Sequence, residues 1–173
     1  MKIALLILLG LALLASTFYI AGMLLPREHE ASVSEVISAP ADQLFARIDD
    51  VTAYPAWRTG TKTVRKVGEE NGTERFEEIS GFGPMQYDVI AREAPQRRVT
   101  RIVDGGGFGG TWTFELKAGS NGTTVTITER GYIDSPLFRL AGRLVFGYGH
   151  TIRGYLADLK RAATVPQGNT KPA

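Results

Sequence analysis

The chain has 173 residues and a net charge of +2, with 20 basic and 18 acidic residues. This length suits one ordinary domain, and the balanced charge gives no reason to expect nucleic acid as a partner. There is no cysteine, and the two histidines, His29 and His150, are far apart in the chain. We therefore expect no disulfide and no metal site. No other motif of the sequence predicts a cofactor, so none is expected.

The first element is a long apolar segment, Ile3–Leu25, without a charged residue. At ~1.5 Å per residue, a helix of this length crosses the ~30 Å hydrocarbon core of a bilayer. A cleaved signal peptide with Ile3–Ala15 as its apolar core is the competing interpretation. Because the apolar run resumes at Phe18, we favour an uncleaved transmembrane anchor over residues 1–26.

The charges beside this segment bear on its orientation. Lys2 and the amino terminus favour a cytoplasmic N-terminus, although Arg27 at the other end weighs against it. This predicts a single-pass membrane protein whose globular domain, residues 27–163, lies outside the cytoplasm, in the periplasm if the source is bacterial. Residues 164–173 are predicted to be a disordered tail.

Alternating apolar and polar residues predict seven strands, separated by turns that contain Gly, Pro or Asn. The predicted strands are 31–38, 63–69, 73–80, 85–93, 97–103, 111–118 and 123–133. After the first strand, Pro40 marks the start of a short helix, Ala41–Ile48, and a second short turn runs into Tyr54–Trp57.

The last segment, Pro136–Ala163, has helical periodicity but contains four glycines. Each glycine costs roughly 1 kcal/mol in a helix interior, so we expect either a kink around Phe146–His150 or a break between two helices. The predicted buried stripe consists of Leu137, Leu140, Ala141, Leu144, Tyr148, Ile152, Tyr155 and Leu159. A basic stripe is interpreted as a solvated face, or as one that meets lipid headgroups; its members are Arg139, Arg143, His150, Arg153 and Lys160.

The two faces of the sheet follow from side-chain alternation and symmetric hairpin closure. One face is predicted to be apolar and covered by the last helix, and the other, which includes Arg98, to be solvated. The inner-face pairs that matter below are Trp112 with Glu129, Val89 with Arg101, Phe76 with Val89 and Val67 with Phe76.

This pairing places charged side chains on the inner face. Arg101 and Glu129 flank Trp112, and Arg65 lies beside Glu78. Buried charge is costly unless it is paired or solvated. Two interpretations remain: structural ion pairs at the end of the sheet, or polar anchors in an otherwise apolar ligand pocket.

Three stretches, Ser38–Trp57, Gly110–Leu116 and Ser135–Arg161, resemble the helix-grip fold of the START-like (SRPBCC) superfamily, in particular its polyketide cyclase/dehydrase and lipid-transport branch. The resemblance implies an α+β fold, in which a curved antiparallel seven-stranded sheet wraps a long C-terminal helix and two short helices follow the first strand. It also implies a hydrophobic cavity between sheet and helix. No catalytic motif of the family is matched residue by residue.

The leading functional prediction is a membrane-anchored domain that binds a hydrophobic small molecule or lipid; the sequence leans against an enzyme and leaves that question open. The predicted wall of its cavity consists of Tyr87, Val89, Arg101, Trp112, Phe114, Ile127, Glu129, Leu144 and Tyr148. One alternative is a cyclase, dehydratase or hydrolase in which Glu129, Arg101 or His150 transfers a proton. The other is an assembly factor whose filled core binds nothing.

The stretch Asp49–Arg58 brings Tyr54, Pro55 and Trp57 together after the first short helix. Trp57 is predicted to pack under the edge of the sheet as a plug of the core; the alternative is a place on the rim of the pocket.

Overall fold

The computed structural model describes residues 2–70, 72–81, 83–103, 105–147 and 149–164. The helices are α1 (Lys2–Met23), α2 (Ala41–Asp49), α3 (Tyr54–Trp57), α4 (Pro136–Ala141) and α5 (His150–Thr164). The strands are β1 (Glu28–Ile37), β2 (Thr61–Glu70), β3 (Thr73–Ser80), β4 (Gly83–Glu93), β5 (Arg97–Val103), β6 (Phe108–Gly119) and β7 (Gly122–Ile133). A 3₁₀ turn, Val51–Ala53, joins α2 to α3, and a π-helical turn, Gly142–Phe146, follows α4.

The seven strands form one antiparallel sheet in the order β1-β7-β6-β5-β4-β3-β2. The predicted helix-grip architecture is confirmed. We call the end of the sheet where β1 and β6 begin and β7 ends the anchor end, because β1 starts five residues after α1. The face toward α5 is the inner face.

Helix α5 buries one half of the inner face. Its apolar side chains Ile152, Tyr155 and Leu159 pack against Phe114 of β6 and Ile127 of β7. All five are at most 5% exposed, and each buried side chain of this size contributes roughly 1.5–3 kcal/mol to folding. Helix α2 begins after Pro40, whose φ is −62°, and adds Leu44, Phe45 and Ile48 to the same core.

The register predicted for β6 and β7 is confirmed, with Trp112 opposite Glu129. The pairing predicted for β4 and β5, with Ala91 opposite Val99 and Val89 opposite Arg101, is right at the first pair and wrong at the second. A β-bulge at Ile90 separates the pair Val89–Thr100 from the pair Ala91–Val99. The extra residue shifts the pairing by one position, and a shift of one position exchanges the two faces of a strand.

The bulge corrects two placements. Arg101 pairs with Asp88 on the outer face, where its Nη2 lies 3.1 Å from Asp88 Oδ2 and its side chain is 55% exposed. Arg98, predicted on the solvated face, points inward instead and is fully buried.

The pairing predicted for β2 and β3 is also wrong by one residue. A register shift between Lys66 and Gly68 leaves Lys66, rather than Val67, opposite Phe76. Phe76 in turn faces Tyr87 rather than Val89. The predicted inward pair of Arg65 and Glu78 does not form.

Instead, the two charged residues lie on opposite faces. Arg65 bonds Glu77 on the outer face, with Nε 2.8 Å from Oε1. Glu78 lies inside and bonds Arg58.

The C-terminal helix is broken, which is one of the two predicted outcomes. The π-helical turn ends at Gly147, whose φ of +62° lies in the left-handed region that favours glycine, and α5 begins at His150. Only part of the predicted buried stripe is buried. Leu137 and Leu144 are 51% and 70% exposed, and Tyr148 lies outside the described residues.

Trp57 lies between the two hydrophobic clusters of the domain and packs against both. Its ring meets Tyr54 and Tyr155 edge to face, at centroid distances of 5.3 and 5.4 Å. Its Nε1 is buried without a hydrogen-bond partner. This placement favours the plug over the rim.

Trp57→Ala is expected to destabilise the domain by about 3 kcal/mol, near the lower end for truncation of a large aromatic residue, because Trp57 is partly exposed. Trp57→Phe keeps most of the ring contacts and breaks no hydrogen bond, so we expect a much smaller loss. Urea unfolding of both variants measures the difference. Equal stability of Trp57→Ala and the wild type would place Trp57 on the rim after all.

Candidate functional site

The part of the inner face nearest the anchor end is incompletely covered. Because the C-terminal helix is interrupted between Gly147 and His150, no continuous helix runs over it. We call this region the open half; its side chains are all partly exposed. They are Met85, Tyr87, Ile102, Trp112 and Glu129. By contrast, Phe114 and Leu116 lie under α5, farther along β6 than Trp112, and are only 3% and 4% exposed.

Glu129 and His29 form a polar contact at one side of the open half. His29 Nε2 lies 3.4 Å from Glu129 Oε1, and the two side chains are 9% and 21% exposed. The ring of His29 packs over Gly131, where a Cβ atom would approach its Cε1 to 2.8 Å. Any side chain at position 131 would therefore displace His29.

Burial raises the pKa of the Glu129 carboxyl above its ordinary value, and hydrogen bonds from His29 and Trp112 offset only part of this effect. A carboxyl in this state is a hydrogen-bond donor more readily than an exposed one. The open half therefore offers a polar group that can either donate or accept, next to the indole of Trp112.

A second polar group lies on the other side of the open half. Arg58 Nη1 is 2.5 Å from Glu78 Oε2, and Glu78 also accepts a hydrogen bond from Thr61 at 3.0 Å. The Arg58 guanidinium lies over the rings of Tyr54 and Tyr155, at 4.8 and 4.9 Å from their centroids. Ion pairing and cation–π contacts together hold this cation at a fixed place in an apolar surrounding.

Tyr87 feels the charges of both polar groups. Its ring stacks on Phe76 at 5.1 Å, and its hydroxyl donates to Met85 Sδ at 3.0 Å. Burial, with a smaller contribution from the negative charge of Glu78, raises the pKa of the phenol well above its ordinary value. Tyr87 therefore stays a neutral, aromatic surface at all physiological pH values.

The structure brings together some of the predicted wall residues and separates others. Tyr87, Trp112 and Glu129 belong to the open half, with Val89, Phe114 and Ile127 buried beside them in the same inner face. Arg101 is on the opposite face. Leu144 is largely exposed. His150, a candidate proton-transfer residue, is exposed at the start of α5.

His29 and Arg58 are the site residues that the sequence interpretation missed. The first strand was predicted to begin at Ala31, whereas β1 begins at Glu28. Extending the alternation of Ala31 and Val33 two residues back would have placed His29 on the inner face. Arg58 follows a short helix and has no periodic pattern that predicts its direction.

An open cleft of about 540 Å³ adjoins the site at the sheet edge. It is lined by Arg27, Glu28, His29, Glu30, Arg130, Gly131 and Tyr132. Of the residues that line the cleft, His29 is the one that contacts Glu129 of the open half. We therefore treat the cleft as a neighbouring surface and not as the site itself. Within the described residues, no group of three His, Asp or Glu side chains is arranged to hold a metal ion.

Glu129→Gln tests the burial of this carboxyl. A group whose pKa is higher in the folded than in the unfolded state binds more protons when folded, so its ionisation opposes folding as the pH rises above 4.5. We expect the stability of the wild type to fall relative to Glu129→Gln as the pH rises from 4.5 through the raised pKa of the folded-state Glu129 carboxyl. Urea unfolding at several pH values measures this difference.

Glu115→Gln is the matched control, because Glu115 is exposed on the outer face of β6. It removes a carboxylate from the surface of the sheet and so shows what the loss of an exposed charge does to the unfolding free energy. If the unfolding free energy of Glu129→Gln had the same pH dependence as that of the wild type, burial of Glu129 would not affect its ionisation.

Comparison with known proteins supports the family. The model of the family described as polyketide cyclase/dehydrase and lipid transport matches residues 28–164. The chain therefore belongs to this family. No curated protein sequence matches the chain.

Solved structures with the same fold are numerous but distant in sequence. A START superfamily protein from Mycobacterium smegmatis is 18% identical, with 78% of this chain and 97% of that chain covered and a TM-score of 0.63. The protein TTHA0849 from Thermus thermophilus is 17% identical, with 79% and 100% covered and a TM-score of 0.65. The di-domain ARO/CYC BexL from the BE-7585A biosynthetic pathway is 13% identical, with 84% and 53% covered and a TM-score of 0.65.

The family model and these likenesses define the class of protein: a START-like, SRPBCC domain of the polyketide cyclase/dehydrase and lipid-transport family. At this level of identity the solved structures establish the fold alone. The function of the domain must therefore be inferred from the residues of the open half.

Proposed function

We propose that this protein is a membrane-anchored carrier or binding protein for a hydrophobic small molecule or lipid, held in the open half of the inner face. The observation that carries the proposal is the incomplete cover of an aromatic surface. Tyr87 and Trp112 lie partly exposed between two fixed polar groups, Glu129 with His29 and Arg58 with Glu78. An apolar surface with a few converging polar groups is the usual composition of a small-molecule site.

The anchor in this proposal is α1. It is the only helix among the described residues that is long and apolar enough to cross a membrane, and its apolar window is not buried in the protein. We assign residues 1–26 to the anchor, 27–163 to the domain and 164–173 to the tail predicted to be disordered; Thr164 is the last residue of α5, and residues 165–173 lie outside the described residues. The domain is then placed outside the cytoplasm, which is the periplasm if the source is bacterial.

The two tryptophans of the chain, Trp57 and Trp112, allow a direct test. Trp57→Phe leaves Trp112 as the only indole, and Trp112→Phe leaves Trp57. The full chain in lipid nanodiscs is titrated with a dibrominated fatty acid, which quenches tryptophan fluorescence on contact. We expect saturable quenching of Trp112 and little quenching of Trp57. Quenching that is equal for both, or that does not saturate, would contradict the proposed site.

One observation favours catalysis as a second candidate. Glu129 lies opposite Trp112 on the inner face, and burial raises the pKa of its carboxyl. A raised pKa favours the protonated form that a general acid requires. In an enzyme of the cyclase or dehydratase type, Glu129→Gln would abolish turnover and leave binding intact. Equal turnover by this variant and the wild type would exclude Glu129 as the acid.

A further inference from the structure

The segment Pro136–Phe146 exposes large apolar side chains to the surroundings of the domain. Leu137, Phe138 and Leu144 are 51%, 70% and 70% exposed. Three large apolar residues within one short segment form a patch of the kind that marks contact with a partner or a membrane. The question is which surface covers this patch.

The segment is fixed to the end of the anchor helix. Gly22 of α1 is buried, and a Cβ atom at this position would collide with the carbonyl oxygen of Pro136. Arg139 donates from Nη1 to the carbonyl of Leu25 at 3.2 Å and from Nε to the carbonyl of Ile133 at 2.7 Å. The position of α4 along the anchor is therefore determined by direct contact.

A second set of contacts ties the same place to the sheet. The Ile133 amide donates to the Arg27 carbonyl at 2.9 Å, and Arg27 Nε donates to Asp134 Oδ1 at 2.6 Å. The anchor end of the sheet, α4 and the end of α1 thus form one contiguous unit.

The length of the anchor sets the level of this unit relative to a bilayer. Helix α1 has 22 residues, or about 33 Å at the usual rise, close to the ~30 Å thickness of the hydrocarbon core. Gly22 is in its last turn, so the contact with Pro136 lies at the boundary between acyl chains and headgroups. Segments of the domain at this level meet lipid rather than bulk water.

The polar and aromatic residues near this level fit such a boundary. Arg27 and Arg143 are exposed cations, and Phe108 and Tyr132 at the anchor end of the sheet are each 39% exposed. Basic and aromatic side chains are enriched where proteins meet lipid headgroups.

We propose that Pro136–Phe146 is an interfacial segment that inserts Leu137, Phe138 and Leu144 into the surface of the bilayer that holds α1. This inference rests on the anchor of the proposed function and extends it. The open half lies at the anchor end, beside the gap in the C-terminal helix, so its ligand is of a class that partitions into the bilayer and reaches the site from lipid rather than from water.

Because the chain contains no cysteine, a single introduced cysteine is the only site that a thiol-reactive spin label can modify, and the label reports the depth of that one position in the membrane. Single variants Phe138→Cys and Leu144→Cys, each in the full chain, are spin-labelled and reconstituted in phosphatidylcholine–phosphatidylglycerol vesicles. Leu9→Cys in the middle of α1 is the control for the anchor, and Ser120→Cys, exposed in the turn at the far end of the sheet, is the control for water. Collision with a water-soluble nickel chelate and with oxygen reports the depth of each label.

We expect the labels at Phe138 and Leu144 to collide with the chelate at least about fivefold less often than the label at Ser120, as for an apolar face inserted ~5–10 Å below the headgroups. Collision rates equal to that of Ser120, with Leu9 still protected, would overturn the interfacial segment and leave the anchor intact. An accessible label at Leu9 would instead overturn the anchor. Close coupling between two Phe138 labels would show that a second copy covers the patch, which also contradicts the inference.

Discussion

Arg98→Ala is expected to destabilise the domain by about 3–5 kcal/mol, the usual cost of breaking a buried charged network. Arg98 is fully buried on the inner face, opposite Phe114. Its Nη1 donates to the Ile48 carbonyl at 3.0 Å and to the Tyr54 hydroxyl at 3.1 Å. Its Nε lies 3.3 Å from Asp49 Oδ1.

The loss is large because Arg98 connects α2 to the sheet. Without its guanidinium, Asp49 loses its buried partner and keeps the ion pair with Arg92 at the surface, and the truncated side chain leaves a cavity in the core. Tyr54 still donates to the Ile48 carbonyl at 2.6 Å, so the turn after α2 keeps one of its bonds.

Arg98→Met distinguishes the effect of losing the buried charge from the effect of losing side-chain volume. Methionine fills much of the same space without a charge, so we expect a smaller loss than for Arg98→Ala. Urea unfolding followed by circular dichroism measures both. If Arg98→Ala unfolded at the same urea concentration as the wild type, the buried network would not support the fold.

Trp112→Ala is expected to weaken ligand binding roughly thirtyfold, corresponding to about 2 kcal/mol for loss of a central aromatic contact. Trp112 is the partly exposed ring at the centre of the open half, between Tyr155 and Phe114 at 6.0 and 6.1 Å. The indole also donates a hydrogen bond to the carboxyl of Glu129, its cross-strand neighbour. A fluorescent acyl probe titrated against the full chain in nanodiscs measures the affinity.

Thr113→Ala is the matched control, because Thr113 is the next residue of β6 and points to the outer face. Its affinity for the probe should equal that of the wild type. If both variants bound the probe as the wild type does, the ligand would not lie on Trp112.

The sequence predicts the fold well because its signals are local. Asn121 and Gly122 mark the turn between β6 and β7, and the predicted pairing of Trp112 with Glu129 is the observed one. The glycines of the last segment predict either a kink or a break, and the structure has the break, at Gly147. Each of these features depends on a few neighbouring residues.

The site is less predictable because it depends on register across several strands. Nothing in the sequence marks the bulge at Ile90, yet it moves Arg101 outward and Arg98 inward. A symmetric hairpin is the natural assumption, and one extra residue is enough to exchange the faces. The apparent pair of Arg101 with Glu129 is therefore replaced by His29 with Glu129.

The packing of α4 on the anchor could not be predicted for a different reason. Helical periodicity places Leu137 and Leu144 on the apolar side of the last segment. It does not distinguish a side covered by protein from one covered by lipid. The small side chain of Gly22 allows the close contact with Pro136. Glycine is common in apolar helices and gave no separate signal.

The central claim is that the open half holds a hydrophobic molecule. Native mass spectrometry of the full chain, extracted from its own membranes in mild detergent, tests this most directly. We predict one bound lipid-like molecule per wild-type chain, its loss in Trp112→Ala and its retention in Thr113→Ala. A wild-type chain that carries no bound molecule, or a Trp112→Ala chain that carries the same one, would contradict the account.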